Sequence, residues 1–399
     1  MTSEPGSFAR HTTIERKPEI LRQVNQSHTY PPDIREGLLA FETEIRASAP
    51  DATTAVSKQA GRGAIRPLQE EAPDVAFWNE AWRTFQGRTW LQVPWLFAET
   101  FFYRRMLEVV RFFQPGPWQY VDPFAPQKEK ELESALPRLL PILAQEFREQ
   151  STAFAHMIRE ALWGNRADLS NPEVAATASE GLQDGQSDRL LIDDTARIWA
   201  YLSRSPPARV DIVTDNAGME LALDLRLADF FAVRGVPVRL HLKQTPFFVS
   251  DARITDLYHT LGRLASASAS SAALCQRLHE SIADERITLR DDPFWCTYLS
   301  YHQMPLHIEQ ELAESGLVLF KGDLSYRRLL DDRHWPTTAH LAEIVPLLPA
   351  PFATLRTLKA EVIVDLEPGQ AEALSAADPK WMINGQRGLI QFLLPEHLE

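Results

Sequence analysis

Oxygen-donor side chains stand where several short β-rich runs end, and the carboxyl ends of strands are where open α/β proteins place their chemistry. The run RVDIVT leads into Asp215 and Asn216, VPVRLHLK is followed after QTPFFVS by Asp251, and LVLFKG ends at Asp323. Asp and Asn oxygens without Cys donors or an HExxH pair suit a hard divalent cation, Mg²⁺ or Mn²⁺, with Co²⁺ and Ni²⁺ as further candidates. Such a cation would also relieve the repulsion between clustered carboxylates. The competing reading is helix capping, by Asp215 and Asn216 for a helix beginning near Gly218 and by Asp251 for the next one.

Positive charge accompanies these residues. Lys321 and Arg327 flank Asp323 in KGDLSYR, and RTLK, residues 356 to 359, precedes the apolar run AEVIVDL, which reads as a strand. Arg binds phosphate bidentately and Lys acts as a point charge, so both types at one edge point to phosphoryl chemistry, although each alone is an ordinary surface cation. Other constellations are absent: there is no GxSxG elbow, no GxxxxGK[ST] loop and no GxGxxG turn. The turn TDNAGME carries a single Gly, where a dinucleotide or S-adenosylmethionine loop would need several.

The elements that must position these residues fall into two textures. Up to about residue 205, YRRMLEVVRFF, KEKELESALPRLLPILAQEFREQ and FAHMIREALW repeat apolar residues at helical spacing. From residue 206 to 399, β-rich runs alternate with helical segments, the pattern of a parallel sheet with crossover helices. The expectation is a helical N-terminal part, residues 1 to 205, packed on a Rossmann-like α/β/α domain with a mostly parallel sheet, residues 206 to 399. PDATTAVSKQAGRGA, residues 50 to 64, reads as an exposed loop, and LASASASSAA, residues 264 to 273, as helix with a small-residue face.

Composition narrows the class. The 399-residue chain carries a net charge of −13, so a nucleic-acid partner is not expected in the absence of a basic run. Two cysteines, Cys275 and Cys296, make no disulfide framework or zinc knuckle. With no signal-peptide pattern and no apolar run long enough to span a bilayer, a cytoplasmic protein without membrane contact is expected.

Taken together, DNAGMELALDLRLADF (215 to 230), KQTPFFVSD (243 to 251), FKGDLSYRRLLDDRHW (320 to 335) and RTLK resemble the damage-control phosphatases, once catalogued as domain of unknown function 89. WLFAETFFYRRM (95 to 106), VDPFAPQKEKEL (121 to 132) and LWGNRADLS (162 to 170) resemble that family's N-terminal motifs, and RTLK its sugar-phosphate branch. The resemblance implies a metal-dependent phosphatase of small phosphorylated sugars such as fructose 1-phosphate or fructose 6-phosphate. It implies Asp215, Asn216 and Asp251 as metal ligands. Glu220, Asp323, Leu324, Ser325, Tyr326, Arg327 and Lys359 are implied as substrate contacts, with Arg356 from the RTxK motif and Glu99, Arg104 and Asn165 from N-terminal motifs. Two positions depart from the family pattern: Met219 stands where Phe is usual and Ser325 where Asn is more frequent. The cation would bind a phosphate oxygen while Lys359 and Arg327 offset developing charge; attack by water and attack by the Asp215 carboxylate both stay open. The alternatives are an S-adenosylmethionine-dependent protein carboxyl methyltransferase, an activity also assigned to relatives, and a non-catalytic metal-stabilised scaffold.

Overall fold

The computed structural model describes residues 7–49, 63–164, 189–204, 206–345 and 348–395. It separates into two compact units, residues 1–127 with 246–248, and residues 128–245 with 249–399. Helices continue beyond residue 127, and those of residues 128–205 belong to the second unit. Residues 128–205 join the sheet unit because their elements pack on it, as described below.

The first unit is helical, built on α1 (Lys17–Ser27), α2 (Pro32–Arg46), α3 (Val75–Arg83) and α4 (Trp95–Val109). Almost every side chain of α4 is buried, because aromatic and aliphatic residues surround the helix and its buried Glu99 and Arg104 are met by charged partners. Phe41 and Trp78 pack against its Phe102 and Phe101, and Tyr103 stacks on Phe248. Large aromatic faces give such a core much of its buried area.

The second unit is a seven-stranded sheet of β1 (Leu190–Asp193), β2 (Val210–Val213), β3 (Val238–Leu242), β4 (Ile287–Asp291), β5 (Leu317–Lys321), β6 (Phe352–Thr357) and β7 (Gly388–Leu393), in the order β1-β7-β6-β5-β2-β3-β4. Every neighbouring pair is parallel except β6 with β7. Helices α5 (Ala125–Leu143), α6 (Gln150–Gly164), α7 (Met219–Ala232), α8 (Ile254–Ala265), α9 (Ala269–Ala283) and α10 (Gly322–Leu329) carry the residues that matter below. Strands β2 and β5 are buried along their length, as expected of the inner strands of a sheet covered on both faces.

Several expectations need correcting. AEVIVDL is not a strand: the strand lies earlier, in FATLRT, and already contains Arg356. Arg356 donates to the carbonyls of Ala360 and Val362, so this apolar segment is held as an irregular turn on a guanidinium instead of a ladder. β1 and β7 lack the long β-branched runs that signal strands, and they exist through pairing with each other and with β6. Residues 264 to 273 are helical except for a break at Ser266 to Ser268, where Ser266 ends α8 and the Ser268 hydroxyl caps α9. Of the expected loop at 50 to 64, residues 50 to 62 lie outside the described residues.

The sheet order explains where a site can form. From β2 the chain moves to β3 and β4 on one side, then returns to β5 on the other. The crevice at such a reversal, beyond the carboxyl ends of the strands, is the binding position in open α/β sheets. In register, Val213 pairs with His241 of β3 and Phe320 of β5, so the ends of β2 and β5 lie level and Asp215 arrives beside Gly322.

Candidate active site

Asp215 and Asn216 leave β2 just before α7, and Gly218 provides the turn with φ of +71°. The positive φ favours glycine, and a Cβ on Gly218 would fall 1.5 Å from Glu131 Oε2 of α5, so the Glu131 side chain would have to move aside. Gly322, at the end of β5 with φ of +86°, is equally constrained, since a Cβ there would lie 2.0 Å from Asp215 Oδ2. Glycine at the end of β5 is what lets that edge close on Asp215.

Asp251 is brought in by backbone pairing. Asn216 and Asp251 form an isolated antiparallel bridge, Ala252 N–H donates to Asp215 O at 2.8 Å, and Ala217 N–H donates to Ser250 O at 2.7 Å. The Asn216 amide donates to Asp215 Oδ2 at 3.0 Å and Glu220 Oε2 at 2.9 Å, and its Oδ1 accepts from Ser250 Oγ at 2.6 Å. The helix-cap reading fails, because the N-cap positions are Gly218 for α7 and Arg253 for α8.

Burial and charge shape this cluster. Asp215, Asn216, Glu220 and Asp251 are all buried. Burial, followed by the like charges of Glu220 and Asp251, holds the Asp215 carboxyl well above the ordinary carboxylate range, and Lys243 and Lys359 only partly oppose this. Lys243 Nζ bonds Thr214 O at 3.1 Å and approaches Asp251 Oδ2 to 3.3 Å. For Lys243, the carboxylates of Asp251 and Asp215 outweigh burial, so its ammonium is held above its usual range.

The phosphate-type cations divide by role. Lys321, expected among them, is completely buried beneath the site, where it donates to Glu220 Oε1 at 2.7 Å, Asp224 Oδ1 at 2.6 Å and Ala161 O at 2.9 Å. Burial still pushes Asp224 up to about 7 against the pull of Lys321. Arg356 is also fully buried: it donates to Asp323 Oδ1 at 2.7 Å, lies 4.4 Å over the Tyr326 ring, and holds the turn that carries Lys359. Lys359 N–H donates to the same Asp323 oxygen at 3.3 Å, while the Lys359 ammonium is among the charges acting on Asp215. Arg327 Nε donates to Asp332 at 2.5 Å. Leu324 is buried, Ser325 bonds the Tyr301 phenol, and Tyr326 OH accepts from Val364 N–H at 3.4 Å.

The expected N-terminal residues are placed as follows. Glu99 bonds Lys17, and Arg104 pairs with Glu70 at 2.6 Å and Asp74 at 2.7 Å, all inside the helical unit. Asn165 lies outside the described residues. Its motif does meet the site through α6: Ala161 accepts from Lys321, and a Cβ on Gly164 would lie 3.0 Å from Glu220 Cα. The residues missed from sequence are Lys243, Ser250, Asp224 and Glu131. Lys243 carried a usable signal, since it follows directly on the last residue of β3, whereas Asp224 and Glu131 look like ordinary polar positions in helices.

Among the described residues, no group of three or more His, Cys, Asp and Glu side chains is arranged to hold a metal. The candidate set therefore needs Asn216 beside the two aspartates, and its Oδ1, which accepts from Ser250 while Nδ2 faces Asp215, would have to turn toward the cation. The set is a hard, buried oxygen-donor set with excess negative charge, which fits a divalent cation. No helix among the described residues is long and apolar enough to cross a membrane.

The chain is similar to known proteins along almost its whole length. The model of the damage-control phosphatase ARMT1-like domain matches residues 12–374. Damage-control phosphatase ARMT1 of Mus musculus is 33% identical over 428 residues, covering 98% of this chain and 97% of its own. That of Danio rerio is 34% identical over 438 residues, covering 98% and 95%. The crystal structure of a DUF89 family protein from Pyrococcus horikoshii superposes with a TM-score of 0.47 at 14% identity, covering 88% of this chain and 94% of that one.

Proposed function

We propose, for a chain that belongs to the damage-control phosphatase ARMT1-like family, that it hydrolyses phosphate monoesters of small sugars, fructose 1-phosphate and fructose 6-phosphate among them, with a divalent metal. The observation that supports the reading best is the meeting of Asp215, Asn216 and Asp251 with Lys243 and Lys359 at the carboxyl ends of β2, β3, β5 and β6. Asp215, Asn216 and Asp251 would hold the metal. Bound there, Mn²⁺ or Mg²⁺ supplies Lewis-acid polarisation of a phosphate oxygen.

The chain's own residues do the rest. Lys359, on a turn fixed by Arg356 and Asp323, and Arg327, braced by Asp332, offset the charge of the transferring phosphoryl group. Glu220 orients the Asn216 amide from one side and Ser250 from the other. The Lys321 ion cluster fixes Glu220 from below without facing substrate.

The deciding experiment follows phosphate release from fructose 1-phosphate before and after chelation. Activity should vanish in chelator and return with Mn²⁺ or Mg²⁺. Full turnover by protein shown by elemental analysis to be metal-free would overturn the metal requirement. Inactivity on a panel of phosphate esters, together with methyl transfer from S-adenosylmethionine to a protein carboxylate, would replace the reading with the methyltransferase one.

A further inference from the structure

A cleft of about 310 Å³ in the sheet unit is lined by His334, Trp335, Glu361, Ser375, Trp381 and Met382, among others. That volume is at the lower end of small-molecule sites, about 300 to 1,000 Å³, and matches a ligand of monosaccharide size better than a nucleotide. Both indole N–H groups are satisfied within the protein, Trp335 by Leu330 O at 2.9 Å and Trp381 by Ser375 Oγ at 3.0 Å. The rings are therefore held in place, and the apolar surface of Trp335 and Met382, backed by the buried Trp381, is framed by an imidazole, a hydroxyl and a carboxylate. Apolar ring surface beside hydroxyl-binding groups suits a polyol, which presents C–H faces and O–H edges together. The Glu361 carboxylate would repel a second phosphate.

The position of the cleft relative to Lys359 follows from the chain itself. Lys359 and Glu361 are two residues apart, which limits their Cα separation to about 7 Å. Between them Arg356 grips the carbonyls of Ala360 and Val362, and Asp323 accepts from Lys359 N–H, so this short turn is fixed. One end of it supplies a cation acting on Asp215, and the other supplies an anion lining the cleft. The opposite wall is tied to the second phosphate-type cation. Arg327 pairs with Asp332, and His334 and Trp335 follow directly. Non-glycine residues in the left-handed region flank the lining segments in sequence: Asp331 and Asp332, with φ of 57° and 50°, precede His334, and Asp365, with φ of 62°, follows Ile363. Such outliers persist where the surroundings over-determine them, and they concentrate at ligand-binding positions.

We propose that this cleft is the subsite for the sugar portion of the substrate, with Glu361, Ser375 and His334 reading hydroxyl groups while the phosphate lies toward Lys359. The proposal rests on the phosphatase reading above and adds to it the determinant of leaving-group specificity.

The test compares hydrolysis of fructose 1-phosphate with that of methyl phosphate, a monoester without hydroxyl groups, by the metal-loaded protein. The wild type should favour the sugar ester in kcat/KM. Glu361→Ala, at an exposed position, should lower the ratio of the two efficiencies by about 10-fold, mainly through KM for the sugar ester, with melting behaviour unchanged; Ser375→Ala should lower the ratio similarly, with some loss of thermal stability because it also removes the acceptor of the Trp381 indole N–H. Turnover of both esters with an unaltered ratio in the variants would overturn the subsite and leave the phosphatase reading standing, as would a wild type with no preference between the esters. Failure to hydrolyse any phosphate ester would overturn the phosphatase reading and the subsite with it.

Discussion

Buried charge is handled differently in the two units. In the helical unit Lys17 is fully buried against Glu99; burial lowers its pKa, and the next causes are the attraction and hydrogen bond of its partner. Arg104 likewise closes on Glu70 and Asp74. In the sheet unit Asp215 is pushed up first by burial and then by two like charges, Glu220 and Asp251, before any lysine counts. A closed ion pair serves packing, because each group's remaining need is met by its partner. A cluster in which like charges face one another is unfavourable unless positive charge offsets it, and such an excess is the environment from which the proposed cation site is argued.

Five substitutions, one of them paired with a rescuing second change, test this contrast. The largest change should come from breaking a closed pair. Glu99→Gln leaves the Lys17 ammonium buried without its counter-ion and should destabilise the fold by roughly 3 to 5 kcal/mol, whereas adding Lys17→Met should restore most of the loss. Denaturant melts of the single and double variants would show it, and a Glu99→Gln variant as stable as wild type would erase the distinction between the units.

Removing one member of the like-charged cluster should act in the opposite sense. Asp215→Ala should lower turnover by about 10²-fold or more, through loss of a metal ligand, while leaving the metal-free fold at least as stable as wild type. Kinetics and melting measured in chelator separate the two effects, and a clear loss of metal-free stability would mean that Asp215 is part of a structural pair after all.

Lys359→Ala should be milder, with a loss of about 10- to 100-fold in kcat/KM for fructose 1-phosphate, equivalent to about 1.5 to 3 kcal/mol of charge-assisted contact. Unchanged catalysis would show that RTLK only shapes the turn. Arg356→Lys should reveal the division of labour, since it keeps the charge but cannot hold Asp323 and two carbonyls at once.

The smallest expected change is a pH effect away from the site. Burial raises Glu160 to about 7 even though it pairs with Arg226 at 2.7 Å, so here desolvation outweighs the ion pair. A carboxyl whose folded pKa is raised contributes stability that is complete below its ordinary range and is lost as pH rises through about 7. Thermal melts of Glu160→Gln should therefore fall less steeply than wild type between about pH 5 and pH 7. Parallel profiles would show that Arg226 keeps Glu160 ionised throughout.

What the sequence by itself determined is local. The runs at β2, β3 and β5 announce themselves by β-rich composition, and Asp215, Asn216 and Asp323 stand at strand ends whatever the order of the sheet, whereas Asp251, well past the end of β3, reaches the site only through its bridge to Asn216. Helical periodicity likewise revealed α4, α5 and α6. The tertiary structure decided what pairwise order and side-chain direction control. Placing β5 beside β2 set Gly322 against Asp215; β3 beside β2 let Lys243 reach Thr214 and Asp251; pairing β7 with both β1 and β6 made strands of runs with weak signals of their own. The same ordering turned Lys321 inward to Asp224 and made Arg356 the brace of a turn where an apolar run had read as a strand. Partners far apart in the chain meet only through register and packing, and neither composition nor periodicity along a single segment encodes them.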